Sequence, residues 1–203
     1  MFYEVNKPHG LPHNPFKAIV APRPIGWVST LSQDGIRNLA PYSFFNAVCD
    51  APPMVVIGSS GYKDSVRNIE ETGEFVCNQA TLDLADAMNL SSAMVDSDVD
   101  EFALAGLTAK GGNLVKAPRV LEAKTSLECK VVNVQRLVDI DGNVTNSWLI
   151  LGQVVGVHID DSVLENGMLN VAKMKPLARL GYMDYSVTDK VFQMKRPAVP
   201  EKA

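Results

Sequence analysis

Apolar residues along this chain fall mainly into short runs or alternate with polar ones, a pattern of strands more than of helices. Segments 25–31 and 36–45 flank Asp34-Gly35, whose turn chemistry predicts a β-hairpin. Segment 54–58, Met-Val-Val-Ile-Gly behind Pro52-Pro53, is continuously apolar and predicts a strand buried on both faces. Segment 74–80 adds another strand. Segments 126–140 and 144–159 predict a long pair, turned by Asp139, Asp141, Gly142 and Asn143.

Helical spacing is scarcer. Asp64 is placed to cap a helix through Glu71, with Val66 and Ile69 on one face. Thr81 is placed to cap a second over 82–94, striped by Leu84, Ala87, Met88 and Met94. A short helix is predicted over 99–105. It follows Asp96, Asp98, Asp100 and Glu101, which read as a solvated loop or a flap over the substrate side. Frequent strands, few helices and no βαβ alternation predict a mainly β protein with flanking helices, built as a barrel rather than a doubly wound sheet. Pro8, Gly10, Pro12 and Pro15 predict an extended arm over 1–15, and 196–203 reads as a loose tail. Nothing between them divides the chain, so 1–203 is expected to form one domain.

Composition removes several functions. Of 203 residues, 46% are hydrophobic and 21% charged, enough apolar surface for one sizeable core. A net charge of −4 speaks against nucleic acid, whose phosphates need a basic face. No run of Lys or Arg offers attraction to a membrane surface. The longest apolar stretch, 148–159, is interrupted by Gln153 and His158 and is too short to span a bilayer. The opening residues lack a basic region followed by an apolar one, so a cytoplasmic address is expected. Cys49, Cys77 and Cys129 are widely spaced and read as reduced, mostly buried side chains. His9 and His13 have i,i+4 spacing, but Gly10 and Pro12 make a helix there improbable, so no metal site is expected. His158 reads as a surface or hydrogen-bonded histidine. No Gly-x-Ser-x-Gly elbow and no Gly-x-Gly-x-x-Gly cradle is present, and no catalytic side chain is singled out.

The informative chemistry lies in three neighbouring segments. Pro22-Arg23-Pro24-Ile25-Gly26-Trp27-Val28-Ser29-Thr30 is a β-type run ending in hydroxyls. Asn38-Leu39-Ala40-Pro41-Tyr42-Ser43-Phe44-Phe45-Asn46 brings an amide, a phenol, a hydroxyl and two phenylalanines together. Ser59-Ser60-Gly61-Tyr62-Lys63-Asp64-Ser65 leads into a predicted helix with hydroxyls, small residues and a cation, the ingredients of a phosphate site. Taken singly, Trp27, Phe44 and Phe45 read as core aromatics, the hydroxyls as ordinary strand residues and Lys63 as a solvated lysine. In this order, within about forty residues, they match what a planar phosphorylated cofactor needs.

These segments resemble the flavin reductase-like family of FMN-binding split barrels, most closely over 19–78. The resemblance implies an antiparallel split β-barrel, a homodimer and a bound FMN, with FAD the other flavin it admits. By the same resemblance Trp27, Val28, Ser29 and Thr30 line the flavin. Ala40, Pro41, Tyr42 and Ser43 flank its ring and ribityl chain, and Ser59, Ser60, Lys63, Asp64 and Ser65 take the phosphate end. Ser65 stands where many members carry threonine, and keeps the hydroxyl. The implied activity is NAD(P)H-dependent reduction of flavin, with hydride passing to flavin N5 and electrons onward to free flavin or an electron-acceptor protein. The alternative within the family is a flavoredoxin-like electron carrier with little nicotinamide reductase activity. A third reading is a small β-barrel that binds a ligand without redox chemistry.

Overall fold

The computed structural model describes residues 1–198, so 199–203 of the expected loose tail lie outside the described residues. In chain order the strands are β1 (Arg23–Pro24), β2 (Gly26–Leu31), β3 (Arg37–Tyr42), β4 (Phe45–Asp50), β5 (Pro53–Ser60) and β6 (Glu74–Gln79). The short β7 (Ala109–Lys110) and β8 (Arg119–Val120) precede the long β9 (Thr125–Val138) and β10 (Val144–Ile159). Then come β11 (Leu164–Glu165), β12 (Met168–Leu169), β13 (Leu177–Arg179) and β14 (Tyr185–Val187). The helices are α1 (Phe16–Ile19), α2 (Asp64–Thr72), α3 (Ala85–Leu90), α4 (Glu101–Leu104) and α5 (Val171–Met174).

One antiparallel sheet of seven strands, ordered β3-β2-β6-β9-β10-β5-β4, carries the fold. Its two edge strands, β3 and β4, are joined by Ser43 and Phe44 alone. In a flat sheet those edges would lie roughly 29 Å apart at ~4.8 Å per strand. The three Cα steps from Tyr42 to Phe45 reach at most about 11 Å. The sheet therefore has to curl until its edges meet. At the seam Gly58 N donates to Phe44 O at 2.7 Å, and the Phe45 ring lies so close to Gly26 that a Cβ there would fall 2.6 Å from it. The result is a split β-barrel.

Its interior holds Val28, Tyr42, Val55, Ile57, Phe75, Cys77, Cys129 and Ile150, with Val66 and Ile69 of α2 closing one end. A second core lies on the opposite face of β2 and β3, where Trp27 and Leu39 pack with Met88, Phe102, Val120 and Leu177. Because β2 is covered on both faces, its residues from Gly26 to Thr30 are all buried.

Several local expectations change. Segment 36–45 does not run through: β3 ends at Tyr42, and β4 starts at Phe45 to pair with β5 across the seam. The strand at 54–58 is longer, and only its alternate residues Val55, Ile57 and Ser59 are fully buried. Lys63, not Asp64, occupies the cap position of α2; Asp64 is the first helical residue and pairs with Arg67 at 2.8 Å. The helix expected over 82–94 is a 3-10 turn (Leu82–Leu84) followed by α3, which ends at Leu90. There the Ser91 hydroxyl donates to Met88 O at 2.8 Å and Ser92 to Asn89 O at 2.6 Å, engaging carbonyls of the helix end. Met94 is thereby fully exposed. In the acidic loop Asp100 caps α4, accepting from Phe102 N at 3.0 Å, and Glu101 is buried rather than solvated.

Gly152 of β10 faces Phe75, whose ring atom would lie 2.4 Å from an added Cβ. Phe75 is fully buried, so Gly152→Ala is expected to destabilise by about 1–3 kcal/mol through overpacking. Urea denaturation measures it, and a loss below about 0.5 kcal/mol would show that the core gives way freely. Glu128, fully buried on β9, accepts from the amides of Asn113 (2.7 Å), Leu114 (2.6 Å) and Val115 (3.1 Å) and bonds His158 Nε2 at 2.5 Å. Burial alone pushes its carboxyl up, but the amides and His158 outweigh that and hold it below the ordinary range. This stability is therefore present above the unfolded carboxylate range and is lost as pH falls through the depressed folded value. Glu128→Gln should flatten that acid limb in a pH series of denaturation midpoints; an unchanged acid limb would remove Glu128 as its source.

Candidate functional site

Where β3 meets the start of α2, the surface opens into a cleft of about 330 Å³. Ala40, Pro41 and Tyr42 form one wall, Lys63, Asp64 and Ser65 another, and the loop after α3, residues 91–95, a third. Asn38 and Glu101 also reach it. The walls are set by the fold: β3 is an edge strand at the barrel seam, and α2 begins just after β5 reaches the same end.

Beneath this surface lies a buried polar network. The Ser65 hydroxyl donates to Asn38 Oδ1 at 2.7 Å, and Asn38 Nδ2 donates to Glu101 Oε1 at 2.7 Å. Leu39 N donates to Glu101 Oε2 at 3.1 Å. Asn68 Nδ2 donates to Thr30 Oγ1 at 3.0 Å, and Thr30 donates in turn to Asn38 Oδ1 at 3.4 Å. Burial pushes the Glu101 carboxyl up, and the donors from Leu39 and Asn38 offset part of the rise.

Two features leave binding capacity open. Among the described residues no side chain caps the first turn of α2, so its leading amides keep their donors, although the Asp64 carboxylate in that turn offsets part of the positive end of the helix dipole. Among the described residues the buried Tyr42 hydroxyl has no hydrogen-bond partner within 3.5 Å; burial is the main cause that raises its pKa, and the nearby Ser65 and Ser59 hydroxyls offset part of the rise. A buried unpaired hydroxyl is costly unless a ligand meets it. Lys63 Nζ stands 5.9 Å from the centre of the Tyr42 ring, adding one cation at the cleft mouth.

Six of the residues named from sequence thus come together: Ala40, Pro41, Tyr42, Lys63, Asp64 and Ser65. Ser43 lines an adjoining cavity. Ser59 is buried and donates to Gly61 O at 2.9 Å, while Ser60 is exposed at the end of β5, and neither lines the cleft. The structure places Trp27, Val28, Ser29 and Thr30 deeper than the other residues named from sequence. All four are wholly buried behind the cleft, because β2 is sandwiched between the two cores. Trp27 Nε1 donates to Ser91 Oγ at 2.8 Å, and the Ser29 hydroxyl donates to Pro118 O and accepts from Asn78 at 3.0 Å. They shape the cleft from below. Glu101, read from sequence only as part of an acidic loop or flap, sits instead in the first turn of α4 with its carboxylate in the buried network.

The flavin reductase like domain family matches residues 20–183. The chain belongs to the flavin reductase-like family. A protein of Aquifex aeolicus with no assigned function is 41% identical over 169 residues, 80% of this chain and 83% of its own. Among solved structures, nitrilotriacetate monooxygenase component B from Bacillus cereus superposes with a TM-score of 0.84 at 27% identity, covering 96% of this chain and 99% of that one. The 2-nitrobenzoate 2-nitroreductase NbaA of Pseudomonas fluorescens gives 0.80 at 26% identity, covering 93% and 91%. For this flavin reductase-like chain, the mostly β split barrel is therefore shared with enzymes of redox chemistry.

Asn38 is the hub of the buried network. Asn38→Ala leaves Glu101 Oε1 without a donor and Ser65 without an acceptor, at about 1–3 kcal/mol for each group left unsatisfied. A loss of at least about 2 kcal/mol is expected in urea denaturation, and a loss under 0.5 would mean that water replaces the amide without penalty.

Proposed function

We propose that the cleft holds FMN and that the protein is an NAD(P)H-dependent oxidoreductase of the flavin reductase type. The observation that carries this reading is the convergence of an uncapped helix start, Lys63, the buried Ser65 and the unpaired Tyr42 hydroxyl on one cleft. Those are the groups that a phosphate and its adjoining sugar chain require. When bound there, FMN would supply the redox chemistry between a reduced nicotinamide, which would deliver hydride to flavin N5, and free flavin or an acceptor protein.

The chain's own part is binding and orientation. Lys63 and the first amides of α2 would neutralise and fix the phosphate, while the Ser65 hydroxyl, donated to Asn38 Oδ1, would hold the start of α2 in place beneath it. The Asp64 carboxylate pairs with Arg67 at 2.8 Å, which offsets part of its repulsion toward a phosphate. Ala40 and Pro41 offer a flat apolar wall. Tyr42 would donate its free hydroxyl to the ligand, which removes the cost of burying it alone. Glu101 and Asn38 hold that wall at a fixed distance from α2. No acid or base of the protein is needed for hydride transfer.

The reading includes a cytoplasmic homodimer of single-domain subunits. Its support is the apolar surface left exposed on the 1–15 arm, at Phe2 and Val5, and at the far end of the long hairpin, at Val138, Ile140 and Val144.

Purified protein should be yellow, and the released chromophore should have the mass of FMN. Bleaching by NADH or NADPH then marks a reductase, whereas a bound flavin that neither reduces marks an electron carrier. A colourless protein that takes up neither FMN nor FAD overturns the reading. Lys63→Ala should weaken FMN roughly ten- to a hundredfold and leave riboflavin within threefold, as fluorescence titration reports. Equal losses for both ligands would show that Lys63 does not meet the phosphate.

A further inference from the structure

A second cavity of about 290 Å³ adjoins the cleft and shares Pro41 and Ser92 with it. Lys17, Arg23 and Arg179 all line it, and among the described residues no aspartate or glutamate does. The three cations come from α1, β1 and β13, which the β1–β13 pairing draws together with Arg23 directly opposite Arg179. None of the three forms an ion pair among the described residues.

Their partners are neutral. Arg23 is 6% exposed and donates to Val20 O at 2.6 Å, to Leu180 O at 2.8 Å and to Lys17 O, while its Nε has no partner. Arg179 donates to Tyr182 O at 2.5 Å and its guanidinium lies 4.4 Å from the centre of the Tyr185 ring. Carbonyls satisfy these donors without cancelling the charge. Like charges gathered in a partly dry cavity repel, and burial together with Arg179 lowers the Arg23 pKa. An arrangement of this kind is stabilised when an oxyanion enters.

Two further features fit a ligand larger than a lone ion. Tyr182 and Tyr185 supply ring faces beside the cations. Tyr182 is also held at a φ of 55°, a left-handed backbone that a bulky residue keeps only under constraint from its surroundings.

We propose that this second cavity is an oxyanion subsite that takes a phosphate of the nicotinamide nucleotide, beside the flavin cleft. The proposal rests on the FMN reading of that cleft and adds to it the residues that receive the second substrate. Phosphate and carboxylate share the required chemistry, and the experiment separates them.

The test is calorimetric titration of the FMN-loaded protein with 2′,5′-ADP, with ADP and with benzoate, at low and high salt. Lys17→Ala and Arg179→Ala are the variants, since Lys17 is exposed and Arg179 half-buried, whereas Arg23 ties the α1 segment, through Lys17 O and Val20 O, to Leu180 O. Adenine nucleotides should bind in a salt-dependent way, and each variant should weaken them about tenfold or more with FMN affinity held within threefold. Rescue by Arg179→Lys would show that charge, not packing, is at stake. Binding of benzoate but not of either nucleotide would assign the cavity to a carboxylate substrate and overturn the nucleotide proposal. Variants that lose FMN but keep riboflavin would show that the cavity holds the flavin's own phosphate, which also overturns it. FMN retention with no anion binding would reject the subsite alone, whereas failure to bind any flavin would reject the reading beneath it.

Discussion

Asn38 sits where β2, β3, α2 and α4 meet, and both ends of its side-chain amide are in use. Its oxygen accepts from Ser65 at 2.7 Å and from Thr30 at 3.4 Å, and its nitrogen donates to Glu101 at 2.7 Å. Each bond crosses from one element to another, so the amide fixes the start of α2 and the start of α4 against the edge strand between them. A hydrogen bond in a dry interior contributes modestly when made and costs heavily when half made. The geometry of the cleft therefore depends on this side chain, although much of the cleft's chemistry belongs to others. Lys63, Tyr42 and the first amides of α2 are useful only at the separation that Asn38 maintains.

The barrel supplies the second constraint. With only Ser43 and Phe44 between its two edge strands, the sheet has no extended alternative, and closure brings the end of β3 beside β4 and the end of β5. Gly26 and Gly58 are the points where this seam is tightest: a Cβ on either would stand under 3.0 Å from the side chains of Phe45 or Phe44. The aromatic pair is thus used to close the barrel. Phe44 is partly exposed and carries Lys17 Nζ 5.8 Å from its ring centre, so it also forms part of the basic surface near the second cavity.

The strands were legible because alternation and turn chemistry act locally. Asp34-Gly35 and Asp139 to Asn143 turn where expected, with Gly35 and Gly142 both at a φ of +83°. Segment 36–45 was misleading because its apolar pattern continues unbroken through a change of partner, from β2 to β5, that only closure explains. The helix over 82–94 failed at Ser91, whose hydroxyl is committed to Trp27 and to the carbonyl of Met88. The cleft residues Lys63, Asp64 and Ser65 were legible as a strand-to-helix turn. The burial of Trp27, Val28, Ser29 and Thr30 was not, since one strand's pattern does not say that both of its faces will be covered. The cations Lys17, Arg23 and Arg179 are isolated in sequence and become a cluster only through the pairing of β1 with β13.

That division has a physical logic. Residues that bind through backbone amides and small hydroxyls need a particular turn, and a turn leaves a local signature. Residues that bind through charge need only convergence, which any topology can bring about from distant positions. Burial makes the second kind expensive unless something answers the charge. Glu128 meets that condition inside the chain, with three amides and His158 around one carboxylate. Glu101 meets it with Asn38 and the amide of Leu39. Arg23 does not, for its neighbours are carbonyls and a second arginine. The two buried acids are structural because their partners are already present. The buried arginine has no counter-charge among the described residues, and this asymmetry is what the proposed oxyanion subsite rests on.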